Sequence, residues 1–299
     1  SAGDVNGDGF EDVIVGARGM DTFAGAAVVY LGGTTGLDIS PAWAVFSSQP
    51  GANFGYAVSR AGDVNGDGFG DVIVGAPFFD QSETVEAVGA AWVYEGSATG
   101  LSPMAAWFVM GAQADARLGI AVGTAGKIND DIFEEVLVGA NGQDGENVDE
   151  GAVFLYLGTV QGLASDPAWV GTGGHTGSGY GTSLAGAGDL NGDGFNEVAV
   201  GAYLFTADQP QEGAVFLYQG NQNGVLTFAS RLDGNKAETW FGFAVGITGD
   251  VDGDGRAEML VGAPEYRIAH DLVGRAYLYS VDLLTNFSIY LPVVCAGQE

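Results

Sequence analysis

The segment Gly3-Asp-Val-Asn-Gly-Asp-Gly-Phe-Glu-Asp-Val-Ile-Val-Gly-Ala17 decides the fold, because related copies of it recur along the chain. The copies begin at Gly62, Gly126, Gly188 and Gly249, after steps of 59, 64, 62 and 61 residues. Each copy joins an aspartate-rich bend to a β-branched run, which is typical of a strand buried on both faces. The chain is therefore a tandem repeat, and its long period is of the kind that propeller blades show.

Each repeat predicts four short strands. In the second repeat they fall at 54–59, 71–75, 89–94 and near Trp107. No stretch carries a helical period with caps. Four strands of this length cannot bury their apolar faces alone, but stacked radially they can, and closing the ring protects the sheet edges. The sequence thus predicts an all-β fold, a β-propeller of four-stranded antiparallel blades with five blade repeats.

We predict one domain over residues 1–299, with blade repeats at approximately 1–50, 51–114, 115–176, 177–237 and 238–294. The chain starts just before the first acidic bend, so the first repeat is predicted to lack its first strand. Residues 287–294 form an extra strand candidate, in which Pro292 favours an edge position. This strand either completes the fifth repeat on its outer side, which we favour, or fills the gap in the first repeat.

Charge and composition exclude several classes of function. The chain has 9 basic and 38 acidic residues, a net charge of −29, which repels nucleic acid and anionic lipid and attracts cations. No apolar run approaches the ~18 residues of a membrane span, so we predict no membrane insertion. Cys295 is the single cysteine, which rules out a disulfide within the chain, and we expect an inert thiol.

The acidic bends have the chemistry of a hard-cation site. Asp4, Asn6, Asp8 and Asp12 occupy positions 1, 3, 5 and 9 of the first bend. Alternate side chains on a tight turn bring several oxygens to one point, and Ca²⁺ takes six to eight oxygen ligands. The seventh residue can add its backbone carbonyl. The bend begins like an EF-hand loop, but Val15 stands where that loop needs a glutamate, and no helices flank it.

Four bends carry the full set, so we predict about four Ca²⁺ sites rather than Mg²⁺ sites, which need a stricter octahedron. The predicted ligands, with a backbone carbonyl at the seventh position, are Asp4, Asn6, Asp8, Phe10 and Asp12; Asp63, Asn65, Asp67, Phe69 and Asp71; Asp189, Asn191, Asp193, Phe195 and Glu197; and Asp250, Asp252, Asp254, Arg256 and Glu258. In the third bend Lys127 takes the first position and Ile132 replaces the glycine, so that bend is predicted to be empty.

These residues resemble the FG-GAP repeat, the blade of the integrin α-subunit propeller. The FG element is present at Phe54-Gly55 and Phe241-Gly242, and the GAP element at 75–77 and 262–264. The resemblance covers nearly the whole chain. It implies calcium loops on the lower face with a structural role, and ligand binding by the opposite face. Integrin propellers have seven blades, whereas this chain shows five motifs.

The face opposite the bends is predicted to carry the irregular loops 20–24, 78–88, 142–149, 203–212 and 265–273. Variable loops on a rigid scaffold are common binding surfaces. Their aromatic residues either contact a ligand or pack between blades; these are Phe78, Phe79, Tyr203, Phe205 and Tyr266. Trp43, Trp107 and Trp169 follow the repeat spacing, which favours packing between blades over sugar platforms. Trp92 falls on a third strand and is predicted to be core.

We predict an extracellular or cell-surface adhesion, recognition or scaffolding module with a protein or glycan ligand. Such a chain could also be a segment of a larger surface protein, or an oligomer that completes the ring. The alternative is a catalytic or non-catalytic propeller of a carbohydrate-active enzyme, a lyase or hydrolase. Catalysis needs a nucleophile or an acid–base pair. His175 and His270 are expected to be separate surface residues, so we predict no catalytic residues, no organic cofactor and no enzyme.

Overall fold

The computed structural model describes residues 1–269, 271–281 and 287–293, with backbone only for Ala187, Val281 and 287–293. The first part of the chain contains β1 (Val13–Gly16), α1 (Met20–Phe23), β2 (Ala26–Tyr30), β3 (Trp43–Phe46), β4 (Ala57–Gly62), β5 (Asp71–Ala76), β6 (Ala90–Tyr94) and β7 (Trp107–Met110). The middle contains β8 (Leu118–Gly126), β9 (Glu135–Ala140), β10 (Ala152–Tyr156), β11 (Gly158–Thr159), β12 (Gly162–Leu163) and β13 (Trp169–Thr172). The last part contains β14 (Tyr180–Gly188), β15 (Glu197–Ala202), β16 (Ala214–Gln219), β17 (Thr227–Asp233), β18 (Ala244–Ile247), β19 (Met259–Ala263), β20 (Arg267–Ile268), β21 (Asp271–Leu272), β22 (Arg275–Val281) and β23 (Phe287–Val293).

The strands form five main antiparallel sheets, one for each predicted repeat. The first sheet has three strands, β1-β2-β3, and the next four have four strands each: β4-β5-β6-β7, β8-β9-β10-β13, β14-β15-β16-β17 and β18-β19-β22-β23. Two short hairpins, β11-β12 and β20-β21, lie in the connections. The predictions of an all-β chain, of four-stranded antiparallel units and of a first unit without its first strand are confirmed. The one helical element among the described residues, α1, is a single turn in a loop.

The second strand is buried on both faces in the second, third and fourth units, as its β-branched sequence predicts, whereas β1 and β19 of the two end units are partly exposed. Every residue of β5, β9 and β15 is buried. Val72 and Val74 of β5 face the core shared with the first sheet, whereas Ile73 faces the core shared with the third sheet. Each apolar core therefore lies between two sheets that follow one another in the chain, and no sheet buries its apolar residues alone.

Glycines allow successive sheets to approach closely at two repeated positions. A Cβ atom on Gly75, in β5, would lie 2.1 Å from the Gly119 carbonyl oxygen in β8. A Cβ atom on Gly89, just before β6, would lie 2.2 Å from the Leu118 carbonyl oxygen, and Gly89 also has a φ of 76°. Only glycine fits such contacts. The glycines of the FG and GAP elements thus face one another across the sheet-to-sheet boundary.

The tryptophans of the outer strands pack on the following sheet. Trp43, Trp107 and Trp169 lie edge-on to the third-strand tyrosines Tyr94, Tyr156 and Tyr218, with ring centroids 4.9, 4.7 and 4.8 Å apart. The Trp107 indole N–H also donates to the Ala164 carbonyl oxygen at 3.0 Å. The prediction that these side chains pack between repeats is confirmed.

The end of the chain joins the fifth sheet. Strand β23 pairs with β22 in antiparallel register, with Ser288 opposite Ser280 and Val293 opposite Ala276. The candidate strand is therefore the outer strand of the fifth repeat, the alternative that we favoured. His270, Val294 and Cys295 lie outside the described residues, so the predictions for them remain untested. Within the described ranges, no helix has the length and apolar character needed to cross a bilayer.

Candidate metal centre

In each of the four complete bends, backbone amides of the turn donate hydrogen bonds to the carboxylate of the first residue. In the bend between β4 and β5, Asp63 Oδ1 accepts a hydrogen bond from Gly66 N at 2.7 Å and Asp63 Oδ2 accepts one from Gly68 N at 2.9 Å. Both glycines have a positive φ, 74° and 89°, which is the region that favours glycine. The turn therefore depends on the glycines as much as on the aspartate.

The side chains of the third and fifth residues also accept hydrogen bonds from backbone amides of the bend. Asn65 Oδ1 accepts from Asp67 N at 3.0 Å, and Asp67 Oδ1 accepts from Phe69 N at 3.0 Å. Asn65 Nδ2 also donates to Asp67 Oδ2 at 3.0 Å. Hydrogen bonds within the bend thus connect the residues at positions 1, 3 and 5, and their role as ligands stays a prediction.

The four complete bends share this arrangement. The bond from the fourth-position amide to the first-position carboxylate measures 2.7 Å for Gly7 and Asp4, 2.7 Å for Gly66 and Asp63, 2.6 Å for Gly192 and Asp189, and 2.6 Å for Gly253 and Asp250. The four bends are far apart in the sequence, and they adopt one conformation because similar residue types occupy equivalent positions. The seventh-position carbonyls of Phe10, Phe69, Phe195 and Arg256 stay predicted ligands.

The ninth residue of each bend is a buried carboxylate at the start of the second strand. It accepts from the amide of the second bend residue in every copy: Val5 to Asp12 at 2.8 Å, Val64 to Asp71 at 2.9 Å, Leu190 to Glu197 at 2.8 Å, and Val251 to Glu258 at 2.6 Å. In the first two copies the other carboxylate oxygen accepts from Gly32 N or Gly96 N, both at turns after the third strand. These carboxylates therefore hold the bend against the sheet.

This second contact was not predicted from the sequence. The available signal was a glycine two residues after the end of the third strand, Gly32 after β2 and Gly96 after β6. A Cβ atom on Gly96 would lie 2.4 Å from the Gly70 carbonyl oxygen, so only glycine lets the turn come close enough for its amide to reach Asp71.

The fifth bend gathers the most acidic oxygens. One oxygen from each of Asp250, Asp252, Asp254 and Glu258 lies within 4.8 Å of the others, and no other acidic, histidine or cysteine cluster of this kind occurs in the parts of the chain that the structure describes. The Glu258 side chain is buried, and its Oε1 atom has no hydrogen-bond partner. Burying a carboxylate oxygen without a partner costs free energy, and a divalent cation bound among the four acids would be the partner that this oxygen lacks. The donor set therefore fits calcium.

Burial disfavours the charged form of the ninth-position carboxylates. It raises the pKa of Asp71 to about 7 and that of Glu197 to about 8, against the lowering effect of backbone hydrogen bonds, and the charges of Asp67 near Asp71 and of Asp193 near Glu197 add to the rise. The pKa of Asp12 is raised for the same reasons. A bound cation acts in the opposite sense, because it stabilises the ionised carboxylate.

Comparison with known proteins agrees with this repeated geometry. The family model described as FG-GAP repeat matches residues 1–30, 54–94, 180–218 and 241–284, just over half of the chain. The chain belongs to the FG-GAP repeat family. The matched segments contain all four complete bends, and they do not include the third repeat, whose bend starts with Lys127.

Integrin α-subunits are among the relatives of this FG-GAP chain. It is 30% identical to integrin alpha-5 of Xenopus laevis over 213 residues, which is 68% of this chain and 19% of the relative. It is 35% identical to integrin alpha-6 of Gallus gallus over 156 residues, covering 50% of this chain and 13% of the relative. It is 35% identical to integrin alpha-7 of Homo sapiens over 160 residues, which is 52% of this chain and 13% of the relative. The chain spans less than a fifth of the length of these relatives.

The third repeat keeps the turn but has no carboxylate at its first position, where Lys127 stands. Asp131 N donates to Asn129 Oδ1 at 2.8 Å, as in the other bends, and Asn129 Nδ2 donates to Glu135 Oε1 at 3.2 Å, as Asn191 Nδ2 does to Glu197 Oε1 in the fourth bend. Burial raises the pKa of Glu135 to about 8. Lys127 is exposed. That this bend takes no calcium stays a prediction.

On the opposite face, several aromatic residues pack against the protein itself. Phe205 is fully buried against Phe216, and Phe79 lies 5.5 Å from Trp92 between ring centroids. Phe78 contacts Tyr56, and Tyr203 contacts Trp240 and Phe243. Trp92, predicted as core, packs half-buried against the core between the first two sheets. His175 is exposed, as predicted, and its ring contacts Phe205.

Tyr266 has two cationic side chains beside its ring. Lys236 Nζ lies 4.1 Å and Arg275 Cζ lies 3.8 Å from the centroid of its ring. Lysine and arginine are scarce in this FG-GAP chain, and their side chains were not among the predicted site residues.

Proposed function

We propose that this chain is a calcium-binding β-propeller module of an extracellular or cell-surface protein, which acts in adhesion, recognition or scaffolding and has no catalytic activity. Calcium is structural and lies in the four complete bends. The ligand, a protein or a glycan, binds the opposite face.

The observation that carries this proposal is the shared conformation of the four complete bends, each folded around the carboxylate of its first residue. The fifth bend adds a buried carboxylate oxygen without a hydrogen-bond partner beside three further acids. In the proposed sites, the side chains at positions 1, 3, 5 and 9 and the seventh carbonyl hold the ion. The ion in turn offsets the repulsion among carboxylates and ties the first two strands of a sheet together.

The sheet arrangement supports the propeller. The first strands of successive sheets contact one another, β4 with β8, β8 with β14 and β14 with β18, as the inner strands of neighbouring blades do. We infer one propeller domain over 1–299 with the five repeats at the predicted boundaries.

Family membership supports the adhesion and recognition role and the location outside the cell, because the relatives are integrin α-subunits. The charge of −29 supports cation binding and argues against nucleic acid as the partner. The regularly spaced carboxylates are assigned to metal, and exposed His175 has a ring contact with Phe205 rather than an acidic partner. This supports a binding module over the carbohydrate-active enzyme.

Thermal unfolding with calcium and with a chelator tests the proposal. A ligand that binds only the native state stabilises it by RT ln(1 + L/Kd), where L is the free ligand concentration, and this term grows with the logarithm of L, so calcium should raise the Tm by several degrees. The variant Asp8→Ala, Asp67→Ala, Asp193→Ala, Asp254→Ala should lose most of that rise. An equal response of parent and variant would refute the ligand assignment, and no response in the parent would refute the calcium site.

A further inference from the structure

The cations around Tyr266 form a cluster that the calcium sites do not use. Lys236 lies between β17 and β18, Tyr266 lies after β19, and Arg275 begins β22. All three are therefore on the loop face opposite the acidic bends. This cluster, which we call the Tyr266 cluster, contains two of only 9 basic residues in a chain with 38 acidic ones.

The two cations of the Tyr266 cluster are close together. Because each lies within about 4 Å of one ring centroid, Lys236 Nζ and Arg275 Cζ cannot be more than about 8 Å apart. At that separation two positive charges repel each other. The ring face attracts both, which offsets part of this repulsion. A negative group between them would offset more.

No negative group of the described residues fills that role. The ion pairs among these residues are Arg231 with Asp233 and Arg267 with Glu265, so within this part of the chain neither Lys236 nor Arg275 has a carboxylate within 4.0 Å. Lys236 donates to the Arg267 carbonyl oxygen. The Arg275 Nε atom is buried and has no hydrogen-bond acceptor among the described residues. An unmet buried donor on a cation is a strong preference for an anion.

The cluster is held in place before any ligand binds. The Tyr266 carbonyl oxygen accepts from Val273 N at 3.0 Å and from Gly274 N at 3.1 Å, which closes the loop over the β20-β21 hairpin. Arg275 also hydrogen-bonds the Tyr277 side chain. A site whose donors are already positioned loses less entropy when a ligand binds.

We propose that Lys236 and Arg275, positioned by Tyr266, bind an isolated carboxylate carried by an acidic side chain of a protein ligand. The proposal rests on the proposed function, since it names the ligand chemistry of the recognition face. A polyanionic glycan needs a track of cations and is repelled by the −29 charge, whereas one carboxylate on an otherwise neutral or basic protein surface is not.

Saturation-transfer NMR with calcium-loaded protein tests the site. The probes are acetyl-Gly-Asp-Gly-amide, its asparagine counterpart and D-glucuronate. We expect the aspartate peptide to bind and the asparagine peptide not to bind. Lys236→Gln and Arg275→Gln should each weaken binding roughly tenfold, the loss expected for a charge-assisted hydrogen bond. Arg18→Gln is the matched control, because Arg18 lies 4.8 Å over the Tyr56 ring in the corresponding loop of the first sheet, and it should change nothing.

Three outcomes would overturn the proposal: equal binding of the two peptides, an equal loss in Arg18→Gln, or binding of glucuronate without binding of the aspartate peptide. If Arg275→Gln does not fold, Lys236→Gln decides alone, because Lys236 is exposed. Calcium-dependent stabilisation of Lys236→Gln should equal that of the parent. If the parent protein is stabilised by calcium but does not bind the aspartate peptide, this site is refuted and the proposed calcium module is not.

Discussion

At the scale of single residues, the ninth carboxylate of each bend has two roles. It accepts a hydrogen bond from the bend backbone, and it adds a buried oxygen to the proposed calcium site. In Glu258 the two roles are divided between its oxygens, since Oε2 accepts from Val251 N while Oε1 has no partner. The two roles can therefore be separated by a substitution that keeps one oxygen acceptor and removes the charge.

Glu258→Gln should keep the fold and weaken the fifth calcium site. Glutamine can still accept from Val251 N, but it brings no negative charge to the ion. We expect the calcium affinity of that site to fall at least roughly tenfold, because the ion loses one negatively charged ligand. Calcium titration calorimetry should show one tight site fewer. Asp131→Asn in the third bend is the control, and an equal loss there would contradict the assignment.

The third bend permits the converse experiment, because Asn129, Asp131 and Glu135 are already in place. The double variant Lys127→Asp, Ile132→Gly should gain one calcium ion, since it restores the first carboxylate and the glycine of the turn. Equilibrium dialysis measures the stoichiometry. Lys127→Gln removes the ammonium without adding a carboxylate and should gain none. An unchanged stoichiometry in the double variant would show that the bend is empty for some other reason than these two residues.

At the scale of elements, close backbone approach between sheets explains the FG and GAP glycines. A Cβ atom on Gly201 in β15 would lie 2.0 Å from the Gly242 carbonyl oxygen at the next sheet. Such a contact cannot be relieved by a side-chain rotation, because the opposing atom is backbone. The pair therefore sets how near the second strand of one sheet comes to the first strand of the next.

Gly201→Ala should destabilise the protein by about 2 kcal/mol or more, as overpacking against backbone does. Gly246→Ala in β18 is the matched control, because a Cβ atom there meets nothing within 4 Å and the residue has no positive φ. It should be neutral or slightly stabilising. Urea unfolding of both variants in calcium gives the comparison, and similar losses would show that the contact does not matter.

The outer-strand tryptophans join sheets that the chain connects only by loops. Trp107→Ala should cost about 3–5 kcal/mol, because it removes a large side chain packed on Tyr156. Trp107→Phe keeps a ring there and should cost less, chiefly the hydrogen bond to the Ala164 carbonyl oxygen. Chemical denaturation measures both. A phenylalanine variant as unstable as the alanine variant would indicate that the indole N–H, not the packing, dominates.

At the scale of the whole molecule, buried carboxylates link calcium, protons and stability. Without metal, the pKa of Asp71 is about 7 and those of Glu135 and Glu197 are about 8, above their ordinary values of 3.8 and 4.5. The native state therefore binds more protons than the unfolded state between roughly pH 4 and 8. Stability from these groups is present below that range and is lost as the pH rises through it.

Metal-free protein should accordingly be less stable at about pH 8 than at about pH 5.5. Calcium should flatten or reverse this dependence, because the ion replaces the protons at Asp71 and Glu197. Denaturant midpoints at both pH values, with chelator and with calcium at constant ionic strength, make the measurement. A metal-free protein that is more stable at the higher pH would contradict the linkage.

The parts of the candidate site that follow from the sequence are local. The Asp63 bend contains its own turn glycines, and its first, third and fifth side chains are held by hydrogen bonds to amides at most five residues away. A local pattern of this kind acts alike in each copy. The contact from Asp71 to Gly96 spans 25 residues, so the glycine after the third strand could indicate a close turn but not the carboxylate that its amide contacts.

By itself, the sequence determined the repeat, the strands, the acidic bends and the family, because periodicity, turn glycines and alternate oxygens act over a few residues. Only the tertiary structure decided that β23 completes the fifth sheet, that Phe205 is buried, and that Lys236 and Arg275 share the Tyr266 ring. These features depend on which distant segments the packing of one sheet on the next brings into contact.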